Sequence, residues 1–92
     1  MPKYLIEVPH EADKVSCAKA IQVFLQSSSH YLTNCEWGCE DGEHYGWMMV
    51  DCPSKEDACM IVPPAYRTDA RVVQLSRFSM DEIEETIRQH DG

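Results

Sequence analysis

The sequence predicts an α+β fold, one antiparallel sheet covered by helices. Three observations carry this. Residues 3–8, KYLIEV, alternate in polarity as a strand does. Residues 12–27 repeat apolar side chains at helical spacing. Asp41-Gly42 then sits between two strand-like runs, where a tight hairpin turn belongs.

Taken in order, the first strand puts Tyr4, Ile6 and Val8 on one face and Leu5 and Glu7 on the other. It is apolar enough to lie centrally in the sheet. PHEAD follows as a loop, since Pro9 cannot continue a central ladder. Across 12–27, Cys17, Ala18, Ile21, Phe24 and Leu25 share one helical face, while Lys14, Lys19, Gln22 and Gln26 mostly fill the other. The run SSSH at 27–30 ends that helix. YLTNCEWGC and HYGWMMVDC read as hairpin arms around EDGE, because Asp and Gly tolerate the positive φ of primed turns. Pro53 closes the second arm.

SKEDACMIV, 54–62, reads as a helix with Ser54 at its N-cap and Asp57 at the capping-box position. Ala58, Ile61 and Val62 form its inward stripe, and Pro63-Pro64 stop it. AYRTDA reads as a loop and RVVQLSRF, 71–78, as a fourth strand. Ser79 caps a last helix with Glu82 at the box position, and Asp81, Glu84 and Glu85 complement the helix dipole. Met80, Ile83 and Ile87 are its apolar stripe, and RQHDG is expected to fray. The order is β-α-β-β-α-β plus a terminal helix, the ferredoxin-like split βαβ layout, over a single domain spanning 1–92.

The chain has 16 acids against 8 bases, a formal charge of −8. Phosphate backbones and anionic lipids repel such a surface, so neither nucleic acid nor membrane is an expected partner. No apolar run approaches the roughly 20 residues of a membrane span. The start, MPKYLIEV, lacks a long apolar core and a small-residue cleavage site, which predicts no signal peptide and a cytoplasmic location. Five cysteines without a secretion signal fit free thiols in a reducing compartment, and their odd number forbids complete intramolecular pairing.

Residues 30–52 concentrate the chemistry, with three cysteines, two histidines and both tryptophans. A two-residue turn at Asp41-Gly42 would pair Cys39 with His44, Trp37 with Gly46 and Cys35 with Met48. Cys39 and His44 would then lie about 5 Å apart at their β-carbons, near enough to share zinc, nickel or copper. Cys35, four residues along the strand from Cys39, would sit roughly 13 Å away and could not join it without a bulge at Gly38. Glu40, Asp41 and Glu43 could add oxygens, although turn residues of that kind are usually solvated. His10, at the end of a central strand, and His30 are further candidates. The metal candidates are therefore His10, Cys39 and His44. Cys17, Cys52 and Cys59 read as small buried hydrophobes.

Arg67, Arg71 and Arg77 gather near the fourth strand, with Tyr66 beside the first of them. Arg67, Tyr66 and Trp37 are the candidates for holding a small ligand. No phosphate-binding glycine loop and no serine nucleophile motif is legible. Two helices can cover only one side of the sheet, yet both hairpin faces carry a tryptophan. That predicts a homodimer formed through the sheet, or a cleft closed by a second subunit or by the C-terminal helix.

At KYLIEVPH, CEWGCEDGEHYGWMMVD and SKEDACMIVPPAYRTDARVVQL, the chain resembles small bacterial ferredoxin-like proteins of unknown function that include a nickel-binding member. The resemblance lies mainly in layout. It implies a homodimer and, at His10, a metal contact. The cysteine-rich hairpin departs from that pattern. Dimeric α+β barrel isomerases and monooxygenases share the layout, which is an analogy of fold only. Three functions follow as expectations. One is a binding protein for a transition metal such as nickel or zinc. Another is a cofactor-independent enzyme with a cleft under the last helix. The third is a module whose sheet mediates protein interaction.

Overall fold

The computed structural model describes residues 1–91. Its elements run β1 (Lys3–Pro9), α1 (Lys14–Leu25), α2 (His30–Thr33), β2 (Glu36–Trp37), β3 (Tyr45–Asp51), α3 (Lys55–Ile61), α4 (Pro64–Arg67), β4 (Arg71–Leu75) and α5 (Met80–Asp91), with a single 3-10 turn at Cys39–Asp41. The four strands form one antiparallel sheet in the order β2-β3-β1-β4. This is an α+β fold with the ferredoxin-like strand order and a C-terminal helix, as the sequence predicts.

Strand parity divides the sheet. Tyr4, Ile6 and Val8 of β1 face the helices and are buried, as are Gly46, Met48 and Val50 of β3. Phe24 of α1 and Ala58 of α3 close on them, and Phe24, Ile6, Val8, Val50 and Val62 are the largest fully buried side chains. The inward stripe of α1 is Cys17, Ala20, Ile21 and Phe24; Ala18 and Leu25, expected there, are exposed. The helix starts at Lys14, capped by Asp13, whose carboxylate accepts from the Ser16 N–H at 2.9 Å. The Ser54 hydroxyl accepts from the Asp57 N–H, and the Ser79 hydroxyl from the Glu82 N–H, at the predicted caps.

Five expectations are corrected. Residues 30–33 are a helical turn rather than the start of a hairpin arm. Thr33 N–H bonds back to Ser29 O, and the Thr33 hydroxyl and Asn34 amide both donate to His30 O. Such local bonds outcompete a strand ladder, and they turn Leu32 into the core. The hairpin is therefore short. Its register places Trp37 opposite Gly46 as predicted, but the connection is a 3-10 turn ended by Gly42 at φ 79° rather than a two-residue turn. Pro63-Pro64 end α3 but also start α4, with Pro64 in its first turn, where no amide donor is needed. Finally, β4 ends at Leu75, three residues short of its expected limit, and α5 continues through residues 88–91 instead of fraying there.

Candidate metal centre

The β1–β3 register pairs Lys3 with Asp51 and Pro9 with Tyr45. One step further brings His10 opposite His44, and the His10 N–H donates to His44 O at 3.1 Å. The β2–β3 register, carried beyond Trp37 and Gly46, brings Cys39 beside His44 from the other side. His10, His44 and Cys39 thus form a row across the ends of three adjacent strands. His10 and His44 share the parity of the buried residues of β1 and β3, so they face the helical layer. Above them lies the first turn of α1 with Cys17 on its inward stripe, seven residues before Phe24.

The result is a cluster of four ligand-bearing side chains. One ligand atom from each of His10, Cys17, Cys39 and His44 lies within 4.8 Å of all the others, and all four residues are half-buried. The four lie close enough to bind one metal ion. In a tetrahedral zinc site, metal–sulfur bonds of about 2.3 Å and metal–nitrogen bonds of about 2.05 Å put ligand atoms about 3.3–3.8 Å apart. Closing the cluster onto an ion therefore takes side-chain adjustments of about 1 Å. His10 Nε2 already lies 3.1 Å from Cys39 Sγ.

Backbone bonds hold the Cys39 segment. Gly38 N–H donates to Tyr45 O, Asp41 and Glu43 N–H both donate to Gly38 O, and Gly42 N–H donates to Cys39 O. The Trp37 ring forms a wall, 5.6 Å from His10 and 4.9 Å from Phe24 between ring centres, both edge-on. His10 and His44 meet edge-on at 5.8 Å. An open groove lined by Ala12, Cys17, Ile21, Cys39, Glu40 and His44 leads to solvent.

The chemistry of the donors fits a soft or borderline cation. Burial, and then the neighbouring His44, hold the His10 pKa below its ordinary value, so the imidazole is the neutral form that ligates metals. The hydrogen bond to Cys39, together with burial, pushes the Cys17 thiol up to about 11, so without a cation it keeps its proton at neutral pH. A metal ion would reverse that preference. The Nδ1 atoms of His10 and His44 are, among the described residues, the only buried side-chain nitrogens or oxygens without a hydrogen-bond partner. Buried polar atoms are rarely left unpaired, and coordination is one way to satisfy them.

The structure thus brings together His10, Cys39 and His44, which the sequence singles out, and adds Cys17, which the sequence assigns to the core. The signal for Cys17 was its place on the α1 stripe at the end nearest the loop holding His10. Cys35 lies outside the cluster. Its thiol, pushed up to about 12 by burial, contacts Glu36 O at 3.8 Å. Cys52 is buried, with its thiol on Ser54 O, as a small core residue would be. His30 is exposed at the start of α2. All five cysteines are free.

The three candidates for a small ligand occupy separate structural positions. Arg67 donates from Nε and Nη2 to Val62 O at 3.1 and 2.9 Å, and from Nη2 to Met60 O at 3.3 Å, so its guanidinium caps the end of α3. Tyr66 meets Phe24 edge-on at 6.0 Å, and Trp37 walls the metal cluster. Among the described residues, no cleft forms between the sheet and α5, since every residue from 80 to 90 is exposed. Among the described residues, no helix is long and apolar enough to cross a membrane. The chain matches no family model, and neither a curated protein nor a solved structure is detectably similar to it.

Proposed function

We propose that this protein binds a transition metal ion, with His10, Cys17, Cys39 and His44 as its four ligands. The observation that carries the reading is the convergence of four ligand atoms from separate segments to within 4.8 Å. Two thiolates and two imidazoles suit tetrahedral zinc best. Nickel, which the layout resemblance suggests, is the competing ion. Four protein ligands leave no open position for water or substrate, which favours a structural or carrier role over hydrolysis. The free cysteines suit a cytoplasmic setting, where thiols stay reduced.

The uncovered side of the sheet supports a second part of the same reading, that the protein acts as a homodimer. Leu5, Trp47 and Met49 lie there with no helix above them.

The metal reading predicts a graded response in affinity. Structural zinc sites supply about 10–16 kcal/mol over four ligands, so losing one ligand costs about 3 kcal/mol, or roughly 100-fold. Cys17→Ser and His44→Ala should each weaken zinc binding by about that factor in chelator competition. His30→Ala should leave it unchanged. Substituted cobalt should give the visible bands of a tetrahedral thiolate site. Equal affinity in the Cys17→Ser and native proteins would remove Cys17 from the ligand set.

A further inference from the structure

Among the described residues, two apolar surfaces have no partner within the chain. One is the open face of the sheet. By register it carries Leu5, Trp47, Met49, Val73 and Leu75, all on the side away from α1 and α3. Met49 is 59% exposed. The other is α5. Met80, Ile83 and Ile87 lie at i, i+3 and i+7 on one side of it, and Ile87 is 55% exposed. A helix that contributes nothing to its own core gains its stability elsewhere.

We propose that two copies of this chain exchange their C-terminal helices, each α5 lying across β1 and β4 on the open sheet face of the other copy. The proposal rests on the homodimer reading above and names the element that forms the interface. Its dimensions match. Twelve helical residues span about 18 Å, close to the roughly 17 Å of the five-residue β4. Ile83 and Ile87 would seat on Leu5, Val73 and Leu75.

One acid of α5, Glu84, would meet the basic side chains on that half of the face. Lys3 and Arg71 are exposed at the two ends of the Leu5–Val73 strip, and among the described residues neither takes part in an ion pair. On the facing helix Glu84 flanks the apolar stripe, while Asp81, Glu82 and Glu85 lie round the other side and Glu85 pairs with Arg88. Of the acids on the sheet face, Glu36 and Asp51 lie on β2 and β3, while Glu7 lies on β1 opposite Arg71 and accepts from Trp47 Nε1.

The shape favours a second copy over closure onto the same sheet. The chain measures 56 × 28 × 21 Å and its radius of gyration is 16.7 Å, against about 12 Å for a 92-residue chain packed into one ball. Only residues 76–79 join β4 to α5. One helix on one sheet covers less than the roughly 800 Å² per partner of a stable interface. Reciprocal exchange doubles the contact under a two-fold axis.

Sedimentation analysis of the full chain tests this. The expected result is a particle of twice the 10.6 kDa chain mass. Ile87→Glu on α5 and Leu75→Glu on β4 should each convert it to monomer, with circular dichroism losing no more than the helical signal of α5. The double variant Lys3→Glu with Arg71→Glu changes only exposed charges. It should weaken dimerisation by at least roughly tenfold at low salt. A native monomer would overturn both the exchange and the homodimer reading. A dimer that survives Ile87→Glu would overturn the exchange and leave two sheets packed face to face. A dimer lost with Ile87→Glu but kept with Leu75→Glu and with the charge reversal would mean helices pairing with each other, and would overturn it too.

Discussion

At the scale of single residues, the centre is a row of three side chains at matched strand positions with a fourth from the helix above. Three of the four are legible in sequence. Asp41-Gly42 fixes the hairpin register that sets Cys39 beside His44, and His10 ends the central strand that pairs with β3. Cys17 is not legible, because a cysteine on a helical stripe between Ile21 and the N-terminus reads as a small core residue. Periodicity reports which way a residue faces and not what it meets there. The protonation of His10 gives a test that needs no metal. Its folded pKa lies below the ordinary value of about 6.5. Around and below that pH the unfolded chain therefore binds more protons than the folded chain, and stability rises with pH there. The metal-free protein should show a lower urea midpoint at about pH 5.5 than at about pH 7.5, and His10→Gln should flatten part of that slope. A slope unchanged in the His10→Gln protein would mean that another group carries it.

At the scale of elements, the two tryptophans depend on glycines across the hairpin. A β-carbon on Gly46 would lie 2.8 Å from the Trp37 ring and 3.0 Å from Cys35 Sγ; one on Gly38 would lie 2.7 Å from the Trp47 ring. Gly46 therefore leaves room for the indole of Trp37 where it meets Phe24 and His10 edge-on. Gly46→Ala should destabilise the fold by about 1–3 kcal/mol through overpacking. Because the displaced ring bears on His10, metal affinity should fall with it. A denaturant titration and a zinc competition on the same variant check the two effects together. Alternation and caps locate most elements, since Tyr4, Ile6 and Val8 are buried as their spacing predicts and Ser54 and Ser79 cap as predicted. They fail at 30–33, where Thr33 and Asn34 bond to His30 O and make a helical turn from residues of good strand propensity. They fail again at Pro64–Arg67, because a proline that ends one helix can begin the next.

At the scale of the whole molecule, a sheet with helices on one side leaves Leu5, Trp47, Met49, Val73 and Leu75 open, and a long helix stands clear of them. The metal cluster lies at the opposite end of β1 from the β4–α5 linker, so metal binding and helix exchange are separable. A small domain with little core would gain from both proposed interactions. Zinc at 100 times its dissociation constant adds about 2.7 kcal/mol to the folded state, which for a chain of this size should raise the melting midpoint by at least about 10 °C. Excess chelator should remove that gain without changing the dimer's mass. The most direct test of the central claim is native mass spectrometry of the protein titrated with zinc at neutral pH. We expect one ion per chain in the native protein and, at a free zinc level buffered between the two dissociation constants, a bound fraction in Cys17→Ser lower by most of that occupancy. A native chain that retains no ion would contradict the account.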